Sequence, residues 1–170
     1  MKKSIFFLPV IIIAIAIFSS CGDNNNLGKL RQAELEKLDT YIQSNYPDSL
    51  PKPSGLYYIE LQAGSGDSIK AGDKVQIFYS TWTIDSTLID ETNGYLLGQR
   101  YDPFEFTVGN GDAIQGLEEA ATYMKPGTKA NLVIPSELAY GQNGTYGVSG
   151  FTTLLMQVEV YKVYPVDTGQ

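Results

Sequence analysis

Turns that contain glycine or proline interrupt the chain at short intervals after residue 46, and this spacing limits the structures it can form. Proline lacks an amide donor and glycine favours turn conformations, so both residues end regular elements. Such turns occur at 47–53, 64–67, 70–73, 109–112 and 125–127. The segments between them have the lengths of short strands and of one short helix. We therefore expect an α+β domain in which antiparallel strands form a curved sheet around a single helix.

Alternating apolar residues indicate where the strands lie. In the clearest strand, Val75, Ile77 and Tyr79 share one face. Phe78 and Trp82 share the opposite face, where we interpret Trp82 as a packing residue. Patterns of this kind predict strands at 56–61, 75–84, 104–108, 129–134 and 153–164.

One segment of the domain has helical rather than alternating spacing. Its apolar residues are Ile114, Leu117, Ala121 and Met124. This spacing predicts a helix over 113–124, with Asp112 as its N-cap. The remaining stretches, 85–101 and 135–152, are interpreted as long loops.

The first 20 residues have the features of a processing signal. Lys2 and Lys3 precede an apolar run of 14 residues at 5–18, which is shorter than the roughly 20 residues of a membrane-spanning helix. Two serines then stand directly before Cys21, the only cysteine. This arrangement resembles a bacterial lipobox and predicts that Cys21 is lipidated and becomes the mature N-terminus. The alternative is an ordinary secretory signal in which Cys21 has no role.

The rest of the chain divides into three parts. Residues 21–53 form a polar tether and an amphipathic helix, residues 54–164 form the folded domain, and residues 165–170 are a C-terminal tail. The helix, expected over 27–46, either packs on the domain, acts as a spacer or provides a homodimer contact. An acidic residue stands third rather than second when Cys21 is counted first. By resemblance to other lipoproteins, we expect the protein in a bacterial cell envelope, anchored by lipid to the outer membrane.

Composition excludes several functions. The net charge is −7 and the chain has no histidine. Without a basic patch, nucleic acid is not an expected partner, because phosphate binding requires clustered Lys and Arg. The lack of histidine removes the commonest general base and the commonest metal ligand, and no cofactor motif is present, so we expect neither a metal nor a cofactor.

Six short fragments occur in an informative order. They are AGDKVQIFY at 71–79, PFEFTVG at 103–109, AIQGLEEA at 113–120, MKPG at 124–127, IPSELAYG at 134–141 and LLMQVEV at 154–160. Together they resemble the FKBP-type peptidyl-prolyl cis-trans isomerases over about residues 54–163. Each fragment alone is weak evidence, but six in this order form a specific signal.

The resemblance implies a fold, an activity and a site. The fold is a twisted antiparallel half-barrel wrapped around one short helix, with a pocket between the helix and the sheet. The activity is isomerisation of prolyl bonds in proline-containing segments of exported proteins. The matching catalytic positions are Tyr79, Asp90, Phe104, Ile114 and Tyr140. The matching substrate-binding positions are Phe106, Ala113, Leu117, Val148, Phe151 and Met156.

The chain departs from the family pattern at three places. The pocket floor, which is Trp in well-known members, is Leu117 here. The family's apolar-Asp pair matches Ile89-Asp90, but Tyr101-Asp102 is a competing match that the sequence leaves open. The flap loop of the family, to which Val148 and Phe151 would belong, lacks paired prolines here and is about one residue short.

Two other functions therefore stay open. A pocket with Leu117 and an altered flap could bind peptides, as a binding module or chaperone, with little turnover. A purely structural envelope lipoprotein would instead have a blocked pocket. The isomerase interpretation needs no histidine, because rotation about a prolyl bond requires no proton transfer and no covalent intermediate.

Overall fold

The computed structural model describes residues 24–166, so the predictions for the signal segment and for Cys21 lie outside the described residues. The helices are α1 (Asn24–Asn45) and α2 (Gln115–Ala121), with 3-10 turns at Tyr95–Leu97 and Ser136–Leu138. The strands are β1 (Tyr57–Gln62), β2 (Lys74–Thr83), β3 (Leu88–Glu91), β4 (Phe104–Thr107), β5 (Lys129–Ile134) and β6 (Leu154–Tyr164). No helix within residues 24–166 is long and apolar enough to cross a membrane.

The strands form one antiparallel sheet with the order β1-β5-β6-β2-β3. β4 also pairs with β2. It pairs with the first part of β2, whereas β3 pairs with the later part. The expected fold class is confirmed: an antiparallel sheet encloses one short helix, and a helical extension precedes it.

The inner face of the sheet packs against α2. Leu132 and Ile134 of β5 are buried there together with Leu117 of α2. Gly116 permits this close approach, because a Cβ atom at that position would lie 2.5 Å from Cγ2 of Ile134. The glycine therefore sets how near α2 comes to the strands and how deep the space beside it can be.

The outer face of the sheet packs against α1. Leu38 and Ile42 of α1 contact Val133, which lies between Leu132 and Ile134 and points the other way because successive strand residues alternate. Further contacts to this cluster come from Tyr41, Tyr46, Tyr57, Ile59 and Leu155. One of the roles expected for this helix is therefore observed: α1 packs on the domain.

Two local predictions were wrong. The segment 85–101, expected to be a loop, contains β3, which forms a hairpin with β2 through a turn where Ser86 has a φ of 65°. Asp112 does not cap α2, since its Oδ2 accepts a hydrogen bond from the Thr107 N–H at 3.1 Å. The side chain of Glu118 instead accepts hydrogen bonds from two backbone amides just before α2.

Candidate functional site

A cavity of about 550 Å³ lies between the start of α2 and the inner face of the sheet. This volume suits a ligand of a few residues. Eight of the eleven pocket residues expected from the sequence line it: Tyr79, Asp90, Phe104, Ala113, Ile114, Leu117, Tyr140 and Met156. These residues come from β2, β3, β4, β6, the start of α2 with the two residues before it, and the loop after β5, so only the folded chain brings them together.

Aromatic rings form one wall of the cavity. The rings of Tyr79 and Phe104 meet edge to face, with centroids 5.8 Å apart and planes at 78°. Phe104 stacks in turn on Phe106, at 5.7 Å and 21°. Phe106 is buried behind this wall and does not line the cavity. The wall is therefore two rings deep, which restricts the movement of Phe104.

A short hydrogen bond fixes the orientation of Tyr79. Its hydroxyl donates to Oδ2 of Asp90 at 2.5 Å. Burial raises the pKa of Tyr79, and the hydrogen bond to Asp90 and the nearby Tyr140 raise it further, so the phenol keeps its proton. Of the two aspartates that the sequence left open, Asp90 lines the cavity and Asp102 does not.

Two of the residues expected at the site offer hydrogen-bond donors to the cavity. Ile114 is the extended residue before α2, and its carbonyl accepts from the Leu117 N–H at 2.9 Å. No described residue accepts a hydrogen bond from the Ile114 N–H itself. The Tyr140 hydroxyl likewise has no partner among residues 24–166, and this side chain is 40% exposed. A peptide carbonyl in the cavity could accept from either group.

The base of the cavity is apolar. Leu117 and Met156 are buried at its base, together with Leu154. Leucine fills less volume than tryptophan, so the base leaves more space than a tryptophan at this position would. Such a base contributes hydrophobic contact but no flat aromatic surface.

Three of the expected pocket residues lie elsewhere. Phe106 stands behind the aromatic wall, as described above. Val148 is buried in the inner core, because the Val148 and Thr145 backbones exchange hydrogen bonds and turn the side chain inward. Phe151 lines a different cavity, beside α1, and its backbone has a φ of 56°. The structure therefore does not bring Val148 or Phe151 to the cavity that contains Tyr79 and Tyr140.

Thr81 also lies at the cavity, although it is not among the site residues expected from the sequence. This residue follows Tyr79 by two positions on β2, so it faces the same side of the sheet and lines the cavity. Its side chain is buried, and its Oγ1 has no hydrogen-bond partner among the described residues. The period of two along β2 would have identified it. Ile89, Asp112, Gln115, Ala139 and Leu154 complete the lining.

The fold is an antiparallel sheet around a short helix with an aromatic cavity between them, and comparison with known proteins identifies its family. The sequence model of the FKBP-type peptidyl-prolyl cis-trans isomerases matches residues 66–161, which is more than half of the chain. The chain belongs to this family and is an enzyme of that type. The prediction of family and activity from the six fragments is thus confirmed.

Individual relatives agree with this assignment. An FK506-binding protein of Neisseria meningitidis serogroup B is 36% identical over 111 residues, which are 65% of this chain and 97% of the relative. The FKBP-type isomerase FkpA of Escherichia coli K12 is 37% identical over 112 residues, 66% of this chain but only 39% of FkpA.

Solved structures show the same fold. A peptidyl-prolyl cis-trans isomerase of Pseudomonas syringae matches with a TM-score of 0.68 and 25% identity, over 81% of this chain and 96% of the other. The crystal structure of Escherichia coli FkpA matches with a TM-score of 0.70 and 28% identity, over 85% of this chain and 63% of that one.

Proposed function

We propose that the cavity between α2 and the sheet is the isomerase site, and that the enzyme is lipid-anchored in the bacterial envelope, where it assists the folding of exported proteins. The observation that best supports the site is the convergence of eight expected residues on one cavity. In this proposal Tyr79, Asp90, Phe104, Ile114 and Tyr140 act on the prolyl bond, and Ala113, Leu117 and Met156 hold the peptide.

The environment of the cavity suits rotation about an amide bond. The barrier to this rotation is about 18–20 kcal/mol, because the planar amide is stabilised by resonance. Twisting removes the resonance and reduces the charge separation at the carbonyl oxygen. An apolar cavity disfavours the polar planar state more than the twisted state, and each tenfold in rate requires only about 1.4 kcal/mol.

Three polar groups have separate roles in this proposal. The Tyr140 hydroxyl and the Ile114 N–H donate to substrate carbonyls and fix the peptide on either side of the prolyl bond. Asp90 accepts a hydrogen bond from the Tyr79 hydroxyl, and this bond holds the Tyr79 ring against Phe104. No residue needs to gain or lose a proton during the reaction.

The test is a coupled proline-peptide isomerisation assay on the full chain in detergent, with Tyr140→Phe compared to Tyr146→Phe. Tyr146 belongs to the same loop but is fully exposed and does not line the cavity. We expect Tyr140→Phe to lower kcat/KM about fivefold to tenfold, as the loss of one hydrogen bond predicts. Equal effects of the two substitutions would contradict the assignment of this cavity.

The anchoring part of the proposal depends on Cys21, the only cysteine. The two lysines, the apolar run and the two serines before Cys21 support a lipoprotein signal at 1–20. In cells fed a labelled fatty acid, we expect the wild-type protein to be labelled and to sediment with outer-membrane fractions. Cys21→Ser should lose both properties. A Cys21→Ser protein that still sediments with membranes would contradict lipid anchoring.

A second candidate is a peptide-binding module with little turnover. The observation that favours it is Leu117 at the base of the cavity, where an aromatic surface is missing. If the wider base limits turnover, Leu117→Trp should raise kcat without changing the melting temperature. An unchanged kcat would show that this position does not limit the enzyme.

The homodimer expected from the α1 helix stays a proposal as well. Leu38 and Ile42 already pack against the sheet, so a second copy would have to meet the leucines that remain exposed. These are Leu27, Leu30 and Leu35. Light scattering of the wild type and of Leu30→Lys would distinguish a dimer that uses this surface from a monomer.

A further inference from the structure

A carboxylate from α1 is buried at the outer side of the domain. This carboxylate belongs to Glu34, which is only 4% exposed. Both of its oxygens accept hydrogen bonds from the domain: Oε1 from the Ser136 N–H at 2.7 Å and Oε2 from the Ser136 hydroxyl at 2.7 Å. Oε1 also accepts from the Thr153 hydroxyl at 2.9 Å.

The two donor residues stand at the two ends of the loop that contains Tyr140. Ser136 directly follows β5 and its connecting proline, and Thr153 directly precedes β6. One carboxylate therefore ties together the points where the loop leaves the sheet and where it returns. No contact between Glu34 and Tyr140 themselves is needed for this tie.

Ser136 connects the carboxylate to the backbone on either side of Tyr140. The Ser136 carbonyl accepts hydrogen bonds from the Ala139 N–H at 2.9 Å and from the Gly141 N–H at 2.7 Å. The Gly141 carbonyl accepts from the Phe151 N–H at 3.0 Å, near the other end of the loop. The two residues that flank Tyr140 are thus hydrogen-bonded to Ser136, which is itself hydrogen-bonded to Glu34.

Arg31 adds a second link from α1 to the same loop. Its guanidinium donates to Oε2 of Glu34 at 2.5 Å and also to the carboxylate of Glu137. Burial by itself raises the pKa of Glu34, but the hydrogen bonds from Ser136, Arg31 and Thr153 outweigh it and keep the pKa below its ordinary value. The carboxylate is therefore ionised at neutral pH, and a buried charge is tolerated only when it is fully hydrogen-bonded.

Docking of the helix alone does not require this arrangement. The apolar contacts of Leu38 and Ile42 with Val133 already bind α1 to the sheet. The polar contacts of Glu34 go to the loop ends instead, and α1 lies outside the region 66–161 that the family model matches.

We propose that Glu34 is a positioning residue for the isomerase site: through Ser136 and Thr153 it holds the loop that places the Tyr140 hydroxyl at the cavity. Helix α1 is then a part of the isomerase and not only a spacer between the membrane anchor and the domain. The proposal rests on the proposed function, because it assumes that Tyr140 contacts the substrate.

The first test is a set of single variants of the full chain in the isomerisation assay. Glu34→Ala should raise KM about fivefold with a smaller change in kcat, since only a fraction of molecules then hold Tyr140 in the binding position. Glu34→Gln keeps an oxygen that can accept from the Ser136 N–H and Thr153, so its KM should lie within about twofold of the wild type. Glu36→Ala is the matched control, because Glu36 is an exposed glutamate on α1 whose carboxylate accepts a hydrogen bond from Gln32 of the same helix and from no other residue within 24–166.

The second test is a double-mutant cycle with Tyr140→Phe. If Glu34 acts through Tyr140, the Tyr140→Phe substitution should change KM much less in the Glu34→Ala background than in the wild type. A purely structural role predicts instead that the two effects multiply. Multiplied effects, or a KM of Glu34→Ala equal to that of Glu36→Ala, would overturn the proposal.

A milder variant covers the case in which Glu34→Ala does not fold. Thr153→Val preserves the side-chain shape and removes one of the hydrogen bonds to Glu34, and the same cycle with Tyr140→Phe is then measured. We expect a KM increase of about twofold that is again not multiplied. Failure of the proposed function is recognised separately, because Tyr140→Phe alone would then leave the wild-type kinetics unchanged.

Discussion

The two faces of the sheet are stabilised by different kinds of interaction. On the inner face, α2 and the strands share a large cluster of apolar side chains in which Leu117, Leu132 and Ile134 are almost fully buried. On the outer face, α1 contributes Leu38, Ile42 and the partly buried Tyr41 to a small cluster. Hydrophobic burial is not directional, whereas hydrogen bonds require defined positions.

This difference separates two tasks within one small domain. The inner core supplies most of the stability and forms the walls of the cavity. The outer face supplies a defined geometry through the buried carboxylate of Glu34, which accepts from donors at two loop ends. Substitutions on the two faces should therefore differ in whether they mainly lower stability or mainly alter the site.

The largest expected effect compares the same substitution on the two faces. Ile134→Ala on the inner face should lower the free energy of unfolding by about 4 kcal/mol, because the surrounding core cannot collapse into the cavity that is left. Ile42→Ala on the outer face should cost about 2 kcal/mol, since the helix can shift toward the sheet. Urea unfolding of both variants measures the difference. Equal losses would show that the outer cluster is packed as rigidly as the core.

A medium effect concerns the outer face at acidic pH. The pKa of Glu34 in the folded chain is below its ordinary value of 4.5. The ionised carboxylate therefore contributes fully to the free energy of unfolding at pH values above 4.5. This stabilising contribution is lost as the pH falls through the lowered pKa that Glu34 has in the folded state. The charged groups nearby are Arg31, Glu137, Lys37 and Asp85.

The measurement is urea unfolding of the wild type and of Glu34→Gln at pH 7 and at pH values below 4. The wild type should be more stable by about 1–2 kcal/mol at pH 7, and the difference should shrink in acid. If the difference in free energy of unfolding between the two proteins stayed constant with pH, the charge of Glu34 would not contribute to stability.

The smallest expected effect compares two neighbouring hydroxyls. Thr81 and Ser80 are both buried without a hydrogen-bond partner among the described residues, but only Thr81 lines the cavity. Thr81→Val should change stability by less than about 0.5 kcal/mol and raise KM about twofold, because a substrate group loses its partner. Ser80→Ala is the control and should leave KM unchanged. An increase in KM for Ser80→Ala alone would reverse the assignment of the two faces.

Local sequence signals predicted the elements that lie between clear boundaries. The strand expected at 129–134 has the same bounds in the structure, since the turn at 125–127 precedes it and Pro135 follows it. The hairpin of β3 was missed because its turn places Ser86, and not a glycine, at a positive φ. A turn of this type leaves no recognisable mark in the sequence.

The site could be predicted only in part. The family fragments led to the residues around Tyr79 and Tyr140, because aromatic and glycine positions are distinctive. The burial of Glu34 could not be predicted, since its partners Ser136 and Thr153 follow it by 102 and 119 residues. Helical spacing shows which side of α1 is apolar, but not which charged residue finds donors elsewhere in the fold.

The position of β6 has a consequence for how the protein forms. Among the described residues β6 is the last strand in chain order and ends at Tyr164, yet it lies in the middle of the sheet between β5 and β2. The β1-β5 part and the β2-β3 part of the sheet are not joined until β6 is present, so the edges of β5 and β2 stay unpaired until then. Such non-local pairing slows folding and leaves the nascent chain exposed to aggregation. An isomerase with this topology thus depends on β6 to join the two parts of its own sheet.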